Sequence, residues 1–367
     1  MELLKNWFRR SFSDPQVVIL GLFLIIGFAV VIWLGKWLAP MFASLVIAYL
    51  LEAIVSRLQK FGMPRVLAVM IVFLLFMAVL IFLLLGLVPI VTRQLTQLVQ
   101  QFPDYIAGGQ TLLRQLPEHY PQLVSEQQVN VIISQLGQEL AVLGQQALSW
   151  SLASAASIIT LIVYLVLLPV LVFFFLKDKD LMINWASGYM PKERSLATKV
   201  WLEAEMQIAN YVRGKVTEII IVGAVTYITF IILGLQYAAL LATLVGISVL
   251  IPYVGAAVVT IPIALIAYFQ FGWAWGFGQV MIAYAIIQAL DGNLLVPLLF
   301  SEVVNLHPVA IILAILFFGG LWGFWGIFFA IPLATLVQAV LTSWPRVHDE
   351  TAGAAGPTPA DPKAEEA

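Results

Sequence analysis

Cysteine is absent from the 367 residues of this chain. Its absence excludes disulfide bonds, thiolate metal ligands and a cysteine nucleophile. Histidine is almost as scarce, with three residues and no His-Glu-x-x-His pattern, so a zinc-protease centre is not expected. The chain also lacks a Walker A sequence, which argues against an ATP-driven pump within it. We therefore expect no cofactor and no bound metal.

Catalytic pairs are missing as well. An aspartyl intramembrane protease needs two membrane-embedded aspartates, and only Asp291 qualifies. Ser248 and His307 would be the pair for a serine mechanism, but no nucleophile-elbow pattern surrounds the serine. The sequence therefore does not predict an enzyme.

Charged residues are also scarce and make up 10% of the chain. Hydrophobic residues make up 62%, and the mean hydropathy is +1.00. A soluble domain carries about 25% charged residues. Several apolar runs reach the roughly 20 residues that a membrane helix needs. The prediction is an all-α polytopic membrane protein with about seven or eight transmembrane helices. The net charge of −2 provides no basic surface for nucleic acid.

The apolar runs and polar stretches divide the chain into regions. Residues 1–16 form an N-terminus and 17–92 hold helices one to three, with a turn at Gly35–Lys36. An amphipathic, extracytoplasmic helical region is predicted over 93–150, because apolar residues recur there at helical spacing. The remaining regions are helix four (151–176), a cytoplasmic loop with an interfacial amphipathic helix (177–215), the C-terminal membrane region (216–345) and a disordered cytoplasmic tail (346–367).

Lysine and arginine indicate the orientation. They cluster before helix one, between helices two and three, and after helix four. These places share one side if each of the four helices crosses once, and the positive-inside rule makes that side cytoplasmic. The N-terminus is then predicted to be cytoplasmic.

The region 216–345 contains no lysine or arginine, and its apolar segments are broken twice. Pro252 and Gly255 split residues 238–269, and the first piece is too short to cross a bilayer. Residues 291–308 are bounded by Asp-Gly-Asn and His-Pro. We expect one or two re-entrant or broken-helix hairpins, which in transporters mark the binding site. A plain proline kink at Pro252 is the alternative.

Asp291 is the central candidate. An ionised carboxylate in lipid is costly, so Asp291 should face protein or a water-filled route, with Asn293 beside it. Alternatively, "DGN" is a turn and either side chain caps a short helix that begins at Leu294. One side chain can serve both purposes.

The other polar groups have simpler interpretations. Glu302 and His307 are favoured as a return to water and a loop residue, with a coupling role as the alternative. Glu218 follows Lys215 by three residues, which predicts a structural ion pair on one helix face near the membrane interface. Backbone groups at "IPYVGA", with Tyr253, could contact a hydroxylated solute.

The sequence resembles a known family in its second half. The stretches that carry the likeness are "YVRGK", "IPYVGA" and "IQALDGNLLVPLLFSEVVNLHPVAIILAILFFGGLWGFWGIFFAIPLATLV". Together they look like the autoinducer-2 exporter-like (AI-2E) family, and within it the PerM-type permeases. The likeness extends over residues 10–345.

The resemblance implies a transporter-like protein of the bacterial inner membrane with cytoplasmic termini, as a homo-oligomer, since pentamers are known in the family. Members have been linked to export of autoinducer-2 and to sodium/proton exchange. The positions that the resemblance makes important are Asp291, Gly292, Asn293, Pro297, His307, Pro308, Pro252, Tyr253 and Gly255.

Two functions follow. The first is a secondary transporter or exporter of a small polar solute or ion, with Asp291 and Asn293 on its route. The second is a membrane scaffold or regulator that recruits partners through residues 93–150 or through the cytoplasmic helix. Sequence alone leaves both open.

Overall fold

A computed structural model of the chain describes residues 15–119, 154–189, 195–252, 254–300 and 306–343. Within these residues all regular structure is helical and there is no strand, which confirms the all-α class. The helices are α1 (Pro15–Lys60), α2 (Arg65–Phe82), α3 (Val88–His119), α4 (Ser154–Lys177), α5 (Lys179–Gly188), α6 (Ser195–Ile232), α7 (Ala238–Ser248), α8 (Val254–Phe271), α9 (Trp275–Leu290), α10 (Val296–Phe300), α11 (Pro308–Trp322) and α12 (Phe324–Ser343).

The first helix corrects a prediction. α1 continues through Gly35 and Lys36 for 46 residues, without the predicted turn. A glycine–lysine pair is a weak interruption, because breaking a helix in an apolar solvent leaves backbone groups unpaired. The orientation argument counted two crossings in this stretch, so one continuous helix removes a premise of the cytoplasmic N-terminus.

α2 and α3 form one long rod. They are joined by a π-helical turn, Leu83–Leu87, where one extra residue enters the helix. α3 runs on to His119, so the predicted helix after residue 93 is present as far as the structure describes it. Residues 120–150, the rest of the predicted polar region, lie outside the described residues.

One end of the bundle is fixed by a charged cluster. Glu52 of α1 pairs with Arg65 of α2 at 3.4 Å and with Lys179 of α5 at 3.3 Å. Arg65 also donates to the carbonyl oxygen of Leu176 at 2.9 Å. The loop after α1 and the end of α4 therefore lie on the same side, as the charge pattern predicted.

α4 matches helix four, but the next region differs from the prediction. α5 is a short helix after Asp178, and α6 then runs unbroken from Ser195 to Ile232. The predicted interfacial helix and helix five are thus one rod. Tyr211 and Val212 are buried against the rest of the bundle, so this part of α6 packs inside the protein rather than on the membrane surface.

α7 and α8 are two helices separated by a break at residues 249–252. A Cβ added to Gly255 would overlap the carbonyl oxygen of Ser248, so the chain reverses tightly there. At the other end, Gln270 of α8 bonds Gly234 O and Gln236 N, both at 2.8 Å. The two helices therefore form a hairpin, which rules out a simple proline kink at Pro252.

The second predicted interruption is wrong at its start. α9 passes into a π-helical turn, Asp291–Leu295, and then directly into α10. The break that the structure shows comes later, before Pro308. α11 and α12 then fold into a second helical hairpin at Gly323, whose φ of 60° is left-handed. Gly326 lies against the carbonyl oxygen of Phe318, with no room for a side chain.

The described residues contain five helical stretches that are long and apolar enough to cross a membrane. Shorter apolar helices are found in α4, α7, α11 and α12. The chain is therefore a multi-pass membrane protein. The five stretches are Leu38–Lys60, Arg65–Thr111, Glu205–Ile232, Val254–Phe271 and Trp275–Phe300.

Candidate functional site

The candidate site centres on an ion pair within α6. Lys215 Nζ lies 2.7 Å from Glu218 Oε2, and the two side chains are only 5% and 2% exposed. The spacing of three residues places both on one helix face, as predicted. The structure adds that this pair is buried inside the protein, where two desolvated charges persist only with close partners.

α6 is the central helix of the described bundle. It packs against α1, α7, α9, α10 and α12, and also against the π turn Asp291–Leu295. Contact with α7 is very close, since a Cβ on Gly246 would lie 3.1 Å from the carbonyl oxygen of Ile219. The ion pair therefore lies where both halves of the molecule meet.

Asp291 approaches this pair from the π turn. The π turn Asp291–Leu295 packs against α6, the helix that carries Lys215 and Glu218. Oδ1 of Asp291 is buried and has no hydrogen-bond partner among the described residues. π turns occur frequently at functional sites, because the extra residue redirects side chains that an α-helix would place elsewhere.

Helix capping by "DGN" is therefore wrong. Asp291 and Asn293 lie inside a continuous helix rather than before its first turn. Asn293 Nδ2 donates to the carbonyl oxygen of Ala289 at 2.8 Å. That bond uses one of the two amide N–H groups of Asn293, whereas Oδ1 of Asp291 has no partner at all, so Asp291 has the stronger claim to a ligand. Gly292 is exposed, with open space around its Cα, and Pro297 is exposed on α10.

A polar stripe leads away from Asp291 along α9. Tyr284, Gln288 and Asp291 recur at helical spacing, and Tyr284 Oη donates to Ala256 O of α8 at 3.0 Å. Nε2 of Gln288 is buried without a partner in the described structure. Gln288 also lies against the Tyr284 hydroxyl, so Oδ1 of Asp291 is the atom of this stripe that remains available to a solute or to water.

Aromatic side chains lie next to Lys215. Lys215 Nζ lies 5.3 Å from the centre of the Phe300 ring, and that ring lies 5.8 Å from the ring of Tyr211. Tyr211 Oη is buried and makes no hydrogen bond to any described residue. The tip of the α7–α8 hairpin, at Leu250 and Ile251, packs into the same cluster with α12.

The hairpin tip accounts for two predicted site residues. Pro252 is half-buried in the break, and Gly255 is needed for the close return of the chain. Both shape the tip and offer no side-chain donor or acceptor. Tyr253, which was predicted to contribute a hydroxyl, lies outside the described residues.

The polar residues before α11 were predicted to mark the end of the interrupted segment. His307 Nδ1 accepts a hydrogen bond from the Val309 backbone N–H at 3.3 Å, and Pro308 follows at the first helical position. His307 is therefore an N-cap of α11, which favours its structural interpretation over a coupling role. Glu302 lies outside the described residues. No group of three or more His, Asp or Glu side chains in the described ranges could hold a metal ion.

Sequence reasoning missed Gln288, Tyr284 and Tyr211 as parts of the site. A signal for them was present. Tyr284 and Gln288 precede Asp291 by seven and three residues, which is the spacing of one helix face. Tyr211 precedes Lys215 by four residues, and it opens the "YVRGK" stretch that carried the family likeness.

Comparison with known proteins agrees with this architecture. The model of the AI-2E family, described as "AI-2E family transporter", matches residues 22–346. The chain is 46% identical over 345 residues to the "Putative permease PerM" of Escherichia coli K12, covering 94% of this chain and 98% of that protein.

More distant relatives share most of the length. The "Putative transport protein YueF" of Bacillus subtilis 168 is 29% identical over 84% of this chain and 84% of its own length. The "AI-2 transport protein TqsA" of Escherichia coli K12 is 24% identical over 90% of this chain and 94% of its own length. The chain belongs to the AI-2E family of transporters.

Proposed function

We propose that this protein is a secondary permease that moves a small polar solute or an ion past Asp291 and the Lys215–Glu218 pair. The observation that carries the proposal is the buried, unpartnered carboxylate oxygen of Asp291, on a π turn that packs against the helix of the buried ion pair. An intramembrane ionisable group indicates a functional site, because its burial is otherwise costly.

Each charged residue has a defined part in this proposal. Asp291 contacts the solute or ion through Oδ1, which no described group satisfies. Lys215 pairs directly with Glu218, which leaves the carboxylate of Asp291 without a cation of its own. The polar stripe over Gln288 and Tyr284 extends the route along α9, towards the first turn of α8 at Ala256.

Helix breaks next to the site support transport over a purely structural role. The α7–α8 hairpin reaches the Tyr211 cluster with its tip, and the α11–α12 hairpin packs there through Phe328 and Ile331. In transporters, interrupted helices form the substrate site and move relative to the rest of the protein. We therefore interpret the α7–α8 unit as a re-entrant hairpin.

The substrate class is narrowed by the site itself. The site contains one amine, that of Lys215, and two carboxyl groups, those of Glu218 and Asp291. This excess of carboxyl groups favours a cation or a solute rich in hydroxyl groups over an anion. TqsA carries the name of an autoinducer-2 transport protein, but at 24% identity it only places autoinducer-2 among the solutes to test. We further propose that the protein acts as a homo-oligomer in the bacterial inner membrane. In this proposal α5, and not the start of α6, is the helix that lies at the membrane surface.

The test is flux in proteoliposomes with autoinducer-2, sodium and protons. We expect flux of at least one of them with the parent protein and a loss of most of it in Asp291→Asn. Asp104→Asn is the matched control, because this carboxylate is exposed on α3. No flux above empty liposomes for any solute would contradict transport. Full flux in Asp291→Asn would remove Asp291 from the route.

A further inference from the structure

The α7–α8 hairpin is held at its mouth by a row of residues on α3. Gln94, Gln101, Tyr105 and Gly108 follow one face of α3, at intervals of seven, four and three residues. Each of them contacts the mouth of the hairpin, that is, residues 234–240 and 269–270. This row, which we name the glutamine clamp, was not expected from the sequence.

Two glutamines make the polar part of the clamp. Gln94 Oε1 accepts a hydrogen bond from the Leu240 backbone N–H at 2.8 Å. Leu240 is in the first turn of α7, where N–H groups have no partner within the helix. Gln101 Oε1 accepts from Tyr237 Oη at 2.7 Å and from Tyr105 Oη at 3.2 Å.

Aromatic stacking makes the second part. The rings of Tyr105 and Phe269 stack with centroids 4.8 Å apart. Gly108 lies so close to Phe269 that an added Cβ would be 3.3 Å from its ring. The clamp therefore contacts both arms of the hairpin, α7 through Leu240 and Tyr237 and α8 through Phe269.

The hydrogen bonds of the clamp join neutral groups and are individually weak, so they can break and form again. The opposite end of the bundle is linked by the ion pairs of Glu52, which join three helices. The π turn Leu83–Leu87 lies only seven residues before Gln94, and π turns are places where a helix bends.

From these contacts we propose that the glutamine clamp is the gate at the mouth of the hairpin, on the side away from the Glu52 cluster. α3 swings about the π turn, the clamp opens, and the polar stripe of α9 becomes accessible from that side. Gln94 and Gln101 are positioning residues, because they act through the hairpin and do not touch the solute. The gating role rests on the proposed permease function, whereas the opening of the mouth can be measured without transport.

The absence of cysteine makes an accessibility test direct. Thr260→Cys places one thiol on α8 beside Tyr284, between the mouth and the hairpin tip. In proteoliposomes, the rate of its reaction with a membrane-impermeant thiol reagent reports how often the mouth is open. We expect Gln94→Leu with Gln101→Leu to raise this rate several-fold.

The matched control is Gln97→Leu with Gln100→Leu, which changes two exposed glutamines of the same helix. It should leave the rate unchanged. An unchanged rate in the clamp variant, or an equal rise in both, would overturn the gate.

A covalent variant covers the case in which the leucine substitutions prevent folding. Gln101→Cys with Tyr237→Cys, joined by a short cleavable linker, closes the clamp permanently. We expect flux to stop on linking and to return on cleavage. Flux that persists in the linked protein overturns the gate. A parent without flux would defeat the permease proposal alone, because the accessibility result still decides whether the mouth opens.

Discussion

The two halves of this protein build their cores in different ways. In the N-terminal half, α1, α2 and α4 bury Val55, Val69 and Leu176 between helices that are unbroken within that core. In the C-terminal half, α6 to α9 surround Leu241, Ile263 and Val280. The helices of this half are interrupted at residues 249–252 and at the π turn Asp291–Leu295. The first half is a frame, and the second holds the candidate site.

The difference shows where polar groups are tolerated. The frame places its charges at one end, where the largely buried Glu52 is paired with the more exposed Arg65 and Lys179. The C-terminal half buries its charged groups in the middle of spanning helices, beside a break in the backbone. Burial in lipid is costly for both charges and free backbone groups, so their coincidence indicates a common purpose.

The largest effect that we expect separates the glycines of the two halves. A Cβ at Gly255 would overlap Ser248 O, whereas a Cβ at Gly86 of the π turn in the frame would meet the Phe82 ring at an ordinary 3.6 Å. Gly255→Ala should therefore abolish the folded protein, and Gly86→Ala should leave it intact. Size-exclusion profiles of the detergent-extracted variants measure this, and a normal profile for Gly255→Ala would contradict the tight return.

The next effect contrasts two ion pairs. Lys215→Met leaves Glu218 buried without its partner, and breaking a buried pair costs about 3–5 kcal/mol. Lys179→Met removes one partner of Glu52, but Lys179 is 42% exposed, so we expect about 1 kcal/mol or less. The free energy of unfolding in mixed micelles measures both.

A double variant serves as the control for this contrast. Lys215→Met with Glu218→Met replaces both charges by apolar groups, which is commonly neutral or stabilising for a buried pair. It should recover most of the lost stability. Equal losses for Lys215→Met and Lys179→Met would show that the α6 pair is more hydrated than its burial indicates.

Much of this architecture could be predicted from the sequence. The all-α class, the extent of α4, the break at Pro252, the pairing of Lys215 with Glu218 and the boundary at His307 each depend on a local pattern. Long apolar runs, a proline after a short run, and a lysine three residues before a glutamate keep their meaning in any surroundings.

Other features could not be predicted, because they depend on the solvent. Gly35–Lys36 and Asp291-Gly-Asn are turn signals in water, where a broken helix can bond to solvent. In lipid the backbone groups freed by a break have no partner, so the helix continues at both places. At Asp291-Gly-Asn it also accommodates one extra residue as a π turn. The unbroken α6 follows the same rule, and the contacts of α3 with the hairpin depend on tertiary packing alone.

The smallest effects concern two buried hydroxyls, one in each half. Ser44 of α1 donates to Pro40 O at 2.6 Å and lies 3.3 Å from Leu168 O of α4. Thr226 of α6 is equally buried, but its Oγ1 has no hydrogen-bond partner among the described residues. Ser44→Ala should cost about 1 kcal/mol, which is typical of a lost hydrogen bond.

Thr226→Val should be neutral or stabilising, because it removes a buried polar atom that receives no compensation. Thermal unfolding in detergent compares the two variants directly. If Thr226→Val also reduces flux while it raises the unfolding temperature, the hydroxyl serves the solute route at the expense of stability. If instead it destabilises the protein as much as Ser44→Ala does, Thr226 has a structural partner, and the polar groups of the C-terminal half are there for packing alone.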